Sequence, residues 1–229
     1  MKRALVFDLD DTLYPERRFA LSGFRAVAAH LAAQHGLSCP AAFERLRREM
    51  SAGRRCTAFQ TLAKEYDLPS QVVEELRHVY RAHKPALKLP AATRAVLREA
   101  RKTWKVAVLT NGAPEIQRRK VAVLGLAPLV DAVVYAHEVG EGKPDPSVFH
   151  AACAAVDVAA GASVMTGDNP WCDVDGARRA GLRAIRIRRG IHQHVDAGET
   201  GPADATVWTI GEVPWHAAQL VPAGTAHAH

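Results

Sequence analysis

Short apolar runs that end in turn-forming or polar residues recur along the chain, and they predict β-strands. The first run spans Arg3–Phe7, and the other five follow residue 104. Those five are KVAVLT ending at Thr110, DAVVYA around Val134, ASVMTG ending at Gly167, LRAIRI ending at Ile187 and a weaker ATVWTI around Val207. Apolar runs this short are typical of strands that a parallel sheet buries on both faces.

Helical patterns alternate with these strands in the C-terminal part of the chain. PEIQRRKVAVLGL places Pro114 at a predicted helix start and Gly125 at its end, and DPSVFHAACAAV offers Asp145 as an N-cap. NPWCDVDGARRAGL predicts another helix, which begins at Asn169 and stops at Gly181. Strands and helices that alternate over short connections predict an α/β fold with a doubly wound parallel sheet.

The stretch between about Tyr14 and Pro90 contains helical patterns and no convincing strand. Its apolar residues recur at helical spacing in FRAVAAHLAAQ, AAFERLRREM, AFQTLAKEY and VVEELRHVYRAH. We therefore predict a helical domain over residues 14–90, inserted into a catalytic core made of residues 1–13 and 91–212. Residues 213–229 are predicted to form a C-terminal helix and a disordered tail, because the end of the chain is rich in alanine, histidine and proline.

The length, the cysteines and the N-terminus narrow the class of protein. A chain of 229 residues that is 48% hydrophobic can bury a sizeable core, and no run is long enough to span a membrane. The four cysteines form no CxxC pair, which favours reduced thiols. MKRALVFDLDD reaches an aspartate too early for a signal peptide. These features together predict a cytoplasmic protein.

The formal net charge of +6 comes entirely from the predicted helical segment. Thirteen basic and seven acidic residues fall between Tyr14 and Pro90, whereas the rest of the chain is neutral. A basic segment of this kind can face anionic substrates or nucleic acid, or it can be a solvated surface. Arg54 and Arg55 follow Gly53, where the backbone can turn sharply. We predict that these two arginines bind substrate, with a solvated face as the alternative.

Residues suited to chemistry follow the ends of several predicted strands. They are Asp8 and Asp10 after the first strand, Thr110, Asn111 and Gly112 after the second, Lys143 in a later loop, Asp168 after the fourth strand and Asp173 in the next helical turn. Ligands bind outside the carboxyl ends of strands in an open parallel sheet. We therefore expect four acids, one hydroxyl and one ammonium to meet at one rim.

Clustered carboxylates repel one another unless a cation neutralises them. Mg²⁺ is such a cation, because it takes one or two carboxylates together with water and phosphate. The arrangement suits phosphoryl transfer in which Asp8 attacks phosphorus, while Asp10 protonates the leaving oxygen and then activates water. Thr110 and Lys143 would stabilise the phosphoryl oxygens. A turn or a helix cap is the alternative explanation for the two aspartates.

Four stretches in order, DLDDTLYP, LTNG, GKPDPSVF and GDNPWCDVDGA, resemble the motifs of the haloacid dehalogenase-like (HAD) hydrolase superfamily. The resemblance runs from Asp8 to roughly Arg188, and it implies a Rossmann-like core with the helical insertion as an α-helical cap. It also implies that Asp8 is the nucleophile and Asp10 the acid/base. The implied Mg²⁺ ligands are Asp8, the backbone carbonyl of Asp10, Asp168 and Asp173. The implied phosphate contacts are Thr110, Asn111 and Lys143, and we predict that Gly112 also binds substrate.

Three function classes stay open at this point. The leading prediction is Mg²⁺-dependent hydrolysis of a small-molecule phosphate monoester through an aspartyl-phosphate. The acid at Asp10 favours it, since dehalogenating members of the family generally lack one. A haloacid dehalogenase is one alternative, and a non-enzymatic receiver-like phospho-acceptor module is another. We expect a small phosphorylated metabolite as the partner, with no nucleic acid and no membrane, and neither the substrate nor the oligomeric state follows from the sequence.

Overall fold

The computed structural model describes residues 2–195 and 202–223, and the chain divides into two units. One unit comprises Met1–Glu16 and Lys88–His229, and the other comprises Arg17–Leu87. The helical segment expected over residues 14–90 contains the second unit, whereas Tyr14 belongs to the first. The assignment of these segments as core and cap stays a prediction.

The first unit contains a six-stranded sheet, which confirms the predicted α/β fold class. The strands are β1 (Ala4–Phe7), β2 (Lys105–Thr110), β3 (Ala132–Tyr135), β4 (Ser163–Gly167), β5 (Arg183–Ile187) and β6 (Ala205–Val207). They lie in the order β3-β2-β1-β4-β5-β6, and every neighbouring pair is parallel. All four residues of β1 are buried, as expected for a short apolar strand at the centre of such a sheet.

Helices account for most of the remaining described residues. The α-helices are α1 (Arg17–His35), α2 (Cys39–Ser51), α3 (Ala58–Glu65), α4 (Val72–Ala82), α5 (Ala91–Ala100), α6 (Pro114–Leu124), α7 (Ala136–Val139), α8 (Pro146–Ala155), α9 (Gly176–Arg179) and α10 (Val213–Leu220). Short 3₁₀ helices span Arg55–Thr57, Ala127–Leu129, Ala160–Ala162, Gly190–His192 and Ile210–Glu212. A π-helical turn spans Pro170–Asp175.

Two of the expected helix ends have the local chemistry that the sequence indicates. Gly125 follows α6 with a left-handed φ of 64°, which glycine adopts without strain. Asp145 precedes α8, and its carboxylate accepts a hydrogen bond from the Ser147 amide at 2.9 Å. Gly125 therefore ends α6, and Asp145 begins α8, as the sequence indicates.

The predicted helix from Asn169 to Gly181 has a different start from the one expected. Asn169 Oδ1 accepts hydrogen bonds from the amides of Trp171 and Cys172, both at 3.0 Å. The Val174 amide reaches back to the Asn169 carbonyl oxygen at 3.3 Å, which is the i to i+5 step of a π-helix. The first turn is therefore the wider π-helical turn, and α9 follows it.

Strand register brings three strand ends to the same edge of the sheet. Phe7 pairs with Val108 of β2 on one side and with Thr166 of β4 on the other. The amide of the next residue, Asp8, donates to the Thr166 carbonyl oxygen at 2.9 Å. The residues that follow β1, β2 and β4 are consequently neighbours in space, although they lie far apart in the chain.

The second unit packs one face of each of α1, α2, α3 and α4 into a common apolar core. Its fully buried members include Val27, Leu31, Leu46, Leu62 and Leu76. Helices α1 and α4 run antiparallel, because Gly23 lies against Tyr80 whereas His30 contacts Glu75. The close contact at Gly23 leaves no room for a Cβ beside the Tyr80 ring.

Three further expectations concern membranes, thiols and the C-terminus. Across the part of the chain that the structure describes, no helix is long and apolar enough to cross a lipid bilayer. All four cysteines are free thiols. The expected C-terminal helix is α10, and the tail expected to be disordered lies, from residue 224 onward, outside the described residues.

Candidate active site

Three carboxylates, those of Asp8, Asp168 and Asp173, meet at the carboxyl edge of the sheet. One oxygen from each lies within 4.8 Å of the others, and all three residues are buried. Asp8 follows β1, Asp168 follows β4, and Asp173 comes from the π-helical turn. We call this cluster the acidic rim. The structure therefore brings together three of the four residues predicted to bind metal.

The ammonium of Lys143 lies between two carboxylates of the acidic rim. Its Nζ donates to Asp8 Oδ1 and to Asp173 Oδ1, both at 2.6 Å, and to the Leu109 carbonyl oxygen at 3.2 Å. Asn111 holds the loop of Lys143 through two reciprocal bonds. The Lys143 amide donates to Asn111 Oδ1 at 2.8 Å, and Asn111 Nδ2 donates to the Lys143 carbonyl oxygen at 2.9 Å. Asn111 thus positions the lysine that neutralises Asp8.

Burial and crowding change the proton affinity of these groups. Burial raises the pKa of Asp8 to about 7, although the Lys143 ammonium opposes the shift. Burial also raises the pKa of Asp168 to about 9, and repulsion from Asp173 and Asp8 adds to the effect. Burial alone would lower the pKa of Lys143, but attraction to Asp173 and Asp8 raises it above its usual value. One ammonium among three carboxylates leaves the acidic rim in need of further positive charge.

The acidic rim fits a divalent cation that prefers oxygen ligands. Its donors are carboxylate oxygens, which is the ligand chemistry of Mg²⁺. When ionised, three carboxylates exceed the single ammonium of Lys143 by two negative charges, and a dication neutralises that excess. Asp8, Asp168 and Asp173 are the residues that would hold the ion. The predicted contribution of the Asp10 backbone carbonyl stays a prediction.

The side chain of Asp10 contacts three residues that the sequence patterns did not single out. Lys120 Nζ donates to its two carboxylate oxygens at 2.9 and 2.8 Å. Gln117 Nε2 donates to Oδ2 at 2.9 Å, and the Tyr14 hydroxyl donates to Oδ1 at 2.6 Å. Burial alone would raise the pKa of Asp10, but the Lys120 ammonium and the donated hydrogen bonds hold it below its usual range. Asp10 is therefore ionised and held in one place.

The sequence contains only a weak indication that Gln117 and Lys120 are buried beside Asp10. They lie three residues apart on α6 and share one helical face, and both are almost fully buried, at 2% and 5% exposure. A lysine on an inward helical face requires a partner, because an unpaired buried charge is costly. The pattern PEIQRRKVAVL contains this polar pair, but periodicity alone does not show which face points inward.

The end of β2 lies next to the residues that contact Asp10. It consists of Thr110, Asn111 and Gly112. Thr110 is 1% exposed, and its Oγ1 accepts a hydrogen bond from Gln117 Nε2 at 2.7 Å. Gly112 adopts a φ of 107°, a conformation that favours glycine and lets the chain turn from the strand into α6. Gln117 Nε2 also donates to the Asn111 carbonyl oxygen at 2.5 Å. This one glutamine thus ties the β2 end to Asp10.

Gly167 has no side chain, and the Asp173 carboxylate occupies the space that a Cβ would fill. A Cβ on Gly167 would lie well inside van der Waals contact with the Asp173 carboxylate. The Asn169 amide donates to Asp173 Oδ2 at 3.1 Å and fixes the other side of this carboxylate. The orientation of the Asp173 carboxylate therefore depends on the π-helical turn and on Gly167, which has no side chain, at the end of β4.

The two predicted substrate-binding arginines belong to the second unit, where both have partners. Arg54 pairs with the buried Glu49, through Nε at 2.8 Å and Nη2 at 3.0 Å. Arg55 Nη2 donates to the Tyr80 hydroxyl at 2.7 Å. Gly53 takes a φ of 73°, in agreement with the sharp turn expected there. The role of these arginines in substrate binding stays a prediction.

Comparison with known proteins gives matches over most of the chain. A sequence model of the haloacid dehalogenase-like hydrolases matches residues 2–181. Glyceraldehyde 3-phosphate phosphatase from Methanopyrus kandleri is 31% identical over 218 residues, which cover 86% of this chain and 88% of that protein. The crystal structure of a HAD phosphatase from Thermococcus onnurineus superposes with a TM-score of 0.62 at 29% identity, and the match covers 94% of this chain and 97% of that one.

A further relative matches a shorter part of the chain at higher identity. Phosphoserine phosphatase from Thermus thermophilus is 48% identical over 98 residues, which cover 42% of this chain. The match spans only 39% of that relative's own length. The activity of the whole protein is therefore a matter of proposal.

Proposed function

Because the chain belongs to the haloacid dehalogenase-like hydrolase family, we propose that it is a Mg²⁺-dependent phosphatase. It hydrolyses a small-molecule phosphate monoester through an aspartyl-phosphate intermediate. One observation carries the proposal: Asp8 is buried, is paired with the Lys143 ammonium, and shares the acidic rim with the other proposed metal ligands. Asp10 lies two residues further on, with a separate set of hydrogen-bond donors.

Asp8 is the proposed nucleophile. A carboxylate oxygen attacks phosphorus, the new O–P bond forms, and the bond between phosphorus and the ester oxygen breaks. Lys143 donates to Oδ1 of Asp8, so we assign the attack to Oδ2. In the second step water attacks the same phosphorus, the bond to Asp8 breaks and inorganic phosphate leaves. The Lys143 ammonium favours the ionised carboxylate that the first step requires.

Asp10 is the proposed acid and base. It gives a proton to the leaving ester oxygen in the first step and takes a proton from the attacking water in the second. Its hydrogen bonds with Lys120, Gln117 and Tyr14 favour the ionised form, which the second step needs. The first step needs a protonated Asp10. The negative charge of an arriving phosphate ester favours that form, because it opposes the effect of Lys120.

The end of β2 and Lys143 are proposed to bind the phosphoryl oxygens. The Thr110 hydroxyl, the backbone amides of Asn111 and Gly112 and the Lys143 ammonium are the available donors. Thr110 and Lys143 are buried, so their interactions with phosphate are screened less than they would be in water. The side chain of Asn111 is already bound to the loop of Lys143, so its contribution beyond the backbone is to hold that lysine.

The proposed metal ligands are Asp8, Asp168 and Asp173, together with the backbone carbonyl of Asp10. When bound, Mg²⁺ would supply positive charge to the crowded carboxylates and to the phosphoryl oxygens. A cytoplasmic location belongs to the same proposal and is supported by the four free cysteines.

A haloacid dehalogenase is the second candidate, and the surroundings of Asp10 argue against it. A departing halide needs no proton, so an acid held by three donors would have no task in that reaction. The relatives named above are phosphatases. A receiver-like module loses support because the family match is to hydrolases.

The proposed substrate is a small phosphorylated metabolite. Two relatives have names that specify substrates of this class, phosphoserine and glyceraldehyde 3-phosphate. The positive charge of residues 14–90 favours an anionic compound. Arg54 and Arg55 are proposed to contact the part of the substrate that lies away from the phosphate, which would make them determinants of KM.

The proposal is tested by phosphate release from an activated aryl phosphate and from a panel of phosphorylated metabolites. Turnover should require Mg²⁺, stop in chelator and return when Mg²⁺ is restored. Asp8→Asn should abolish turnover while the far-UV circular dichroism stays that of the wild type. Asp157→Asn changes an exposed aspartate and is the matched control. Near wild-type turnover of Asp8→Asn, or full activity in chelator, would contradict the proposed mechanism.

A further inference from the structure

Two histidines and a glutamate of the second unit form a cluster between two of its helices. His30 and His35 lie on α1 and Glu75 lies on α4, and their ligating atoms fall within 4.8 Å of one another. His30 Nε2 is 2.5 Å from Glu75 Oε1, and His35 Nε2 is 3.8 Å from Glu75 Oε2. The cluster shares no residue with the acidic rim and plays no part in the proposed hydrolysis.

The ring nitrogen of His35 is the most informative atom of this cluster. Nε2 is buried and has no hydrogen-bond partner among the described residues. Its 3.8 Å distance from Glu75 Oε2 is too long for a hydrogen bond. Two ligands of one tetrahedral zinc ion, each at about 2.1 Å from the metal, lie about 3.4 Å apart. The separation of His35 and Glu75 is therefore close to that of two ligands of one ion, whereas the hydrogen bond between His30 and Glu75 would have to lengthen when the ion binds.

Local structure fixes the end of α1 beside the cluster. Helix α1 ends at His35, Gly36 takes a φ of 66°, and the Leu37 amide bonds back to the Leu31 carbonyl oxygen at 3.3 Å. These contacts form a glycine C-cap that fixes the last turn. Glu75 lies in the first turn of the antiparallel α4. A cation is favoured at the C-terminal end of one helix and a carboxylate at the N-terminal end of the other.

We propose that His30, His35 and Glu75 bind one Zn²⁺ ion, which fastens the end of α1 to the start of α4. Two imidazoles and one carboxylate are a ligand set that zinc accepts, with a fourth position left for water. Mg²⁺ prefers oxygen ligands, so the acidic rim and this cluster select different metals. The side chains of the cluster are between 22% and 42% exposed, so the ion can enter from solvent.

Zinc bound at this cluster should stabilise the second unit. A ligand that binds the folded chain and not the unfolded chain raises the apparent stability by mass action. The ion would join two helices that are 45 residues apart at the contact between His30 and Glu75. The expected consequence is a higher melting temperature in the presence of Zn²⁺, independent of phosphatase activity.

Zinc binding is measured by equilibrium dialysis of the full chain against Zn²⁺ in a large excess of Mg²⁺, which competes for the acidic rim. The wild type should hold one tightly bound Zn²⁺. His30→Ala, His35→Ala and Glu75→Gln should each weaken that binding by at least about tenfold, since even the loss of a group behind a ligand costs about 10- to 100-fold. His78→Ala removes an exposed histidine of α4 and should bind like the wild type. This control is needed because the chain has eleven histidines.

Thermal denaturation separates zinc binding from a general loss of folding. Circular dichroism first establishes that each variant is folded, and Glu75→Gln is the variant that preserves side-chain shape. In the same excess of Mg²⁺, Zn²⁺ should raise the melting temperature of the wild type and of His78→Ala more than that of His35→Ala and Glu75→Gln. Equal zinc affinity, or an equal shift in melting temperature, across all these proteins would overturn the proposal. Glu75 would then only contact the two histidines.

Discussion

At the scale of single residues, Asp8 and Asp10 have opposite environments although only one residue separates them. Burial dominates at Asp8 and raises its pKa. At Asp10 the Lys120 ammonium and the hydrogen bonds from Gln117, Lys120 and Tyr14 together outweigh burial and lower the pKa. Two carboxylates whose surroundings separate their pKa values are suited to two different roles. This difference supports the proposed roles, in which Asp8 attacks phosphorus and Asp10 transfers the proton.

Asp10→Asn tests that assignment of roles. General acid help contributes about 10²- to 10⁴-fold, so we expect a loss of that order in kcat/KM for esters with poor leaving groups. An activated aryl phosphate should lose less, because its leaving oxygen needs little protonation. Steady-state rates with a matched series of leaving groups measure the difference. Equal losses across the series would assign Asp10 a structural role.

Lys120→Met tests whether Lys120 lowers the pKa of Asp10. The variant removes the charge that lowers the pKa of Asp10, so the carboxyl should keep its proton to higher pH. We expect the alkaline limb of the kcat/KM profile for a poor leaving group to move to higher pH. Lys102→Met, which changes an exposed lysine paired with Glu99, is the control and should leave the profile unchanged. A limb that stays in place would mean that Lys120 does not control the proton on Asp10.

At the scale of elements, the end of β4 and the π-helical turn together set the direction of one carboxylate. The turn begins with the double cap at Asn169 and orients Asp173 toward Lys143. Gly167 leaves the space that this carboxylate fills. A regular α-helical turn with a larger residue before it would place the same aspartate elsewhere.

Gly167→Ala should therefore displace Asp173 without removing any charged group. The added methyl collides with the carboxylate, so we expect weaker Mg²⁺ activation, seen as a higher Mg²⁺ concentration for half-maximal activity. Gly161→Ala is a matched control, because a Cβ at that position meets nothing within 4 Å. A Mg²⁺ requirement that is the same in both variants would show that the position of Asp173 does not limit metal binding.

At the scale of the whole molecule, the raised pKa values of the acidic rim make the stability depend on pH. Asp8 and Asp168 have pKa values of about 7 and about 9 in the folded chain, against an ordinary value of 3.8. Between pH 3.8 and these raised pKa values, the folded chain binds more protons than the unfolded chain. The free energy of unfolding therefore falls as the pH rises through this range. Metal binding opposes the fall, because a cation favours the ionised carboxylates.

We expect the melting temperature of the protein in chelator to fall between about pH 5 and about pH 8.5. Asp168→Asn should show a smaller fall, since it removes the carboxyl with the higher pKa. Mg²⁺ should raise the melting temperature of the wild type more at the higher pH. Melting curves of both proteins at several pH values provide the measurement. A wild-type curve in chelator that falls no more than that of Asp168→Asn would argue against a crowded acidic rim.

The proposed contact between Arg55 and the substrate is also a prediction at the scale of the whole molecule. Arg55→Ala should raise KM for the natural substrate by about one to two powers of ten if the guanidinium makes a desolvated contact with the distal anionic group. It should leave kcat/KM for a small aryl phosphate unchanged. The effect of Arg54→Ala on KM is harder to interpret, because this variant also removes an ion-pair partner of the buried Glu49. A change in KM within about twofold would assign Arg55 to the solvated surface.

Local patterns were sufficient to predict the α/β class, the six strands and the identity of the acidic residues at strand ends. Apolar periodicity reports which face of an element is buried, and caps such as Asp145 and Gly125 act within one turn of chain. The order of the strand-end motifs also pointed to the family that the comparisons confirmed. The π-helical start after Asn169 was not expected, because it depends on two backbone amides that share one side-chain oxygen.

Tertiary structure alone decided which side chains pair with one another at this edge of the sheet. Lys143 and Asp8 are 135 residues apart in the chain, and Lys120 and Asp10 are 110 apart. Such pairs depend on strand register and on which helical face turns inward, and neither is encoded in the spacing of nearby residues. For the same reason, the histidines of α1 had no visible partner until the fold placed Glu75 beside them.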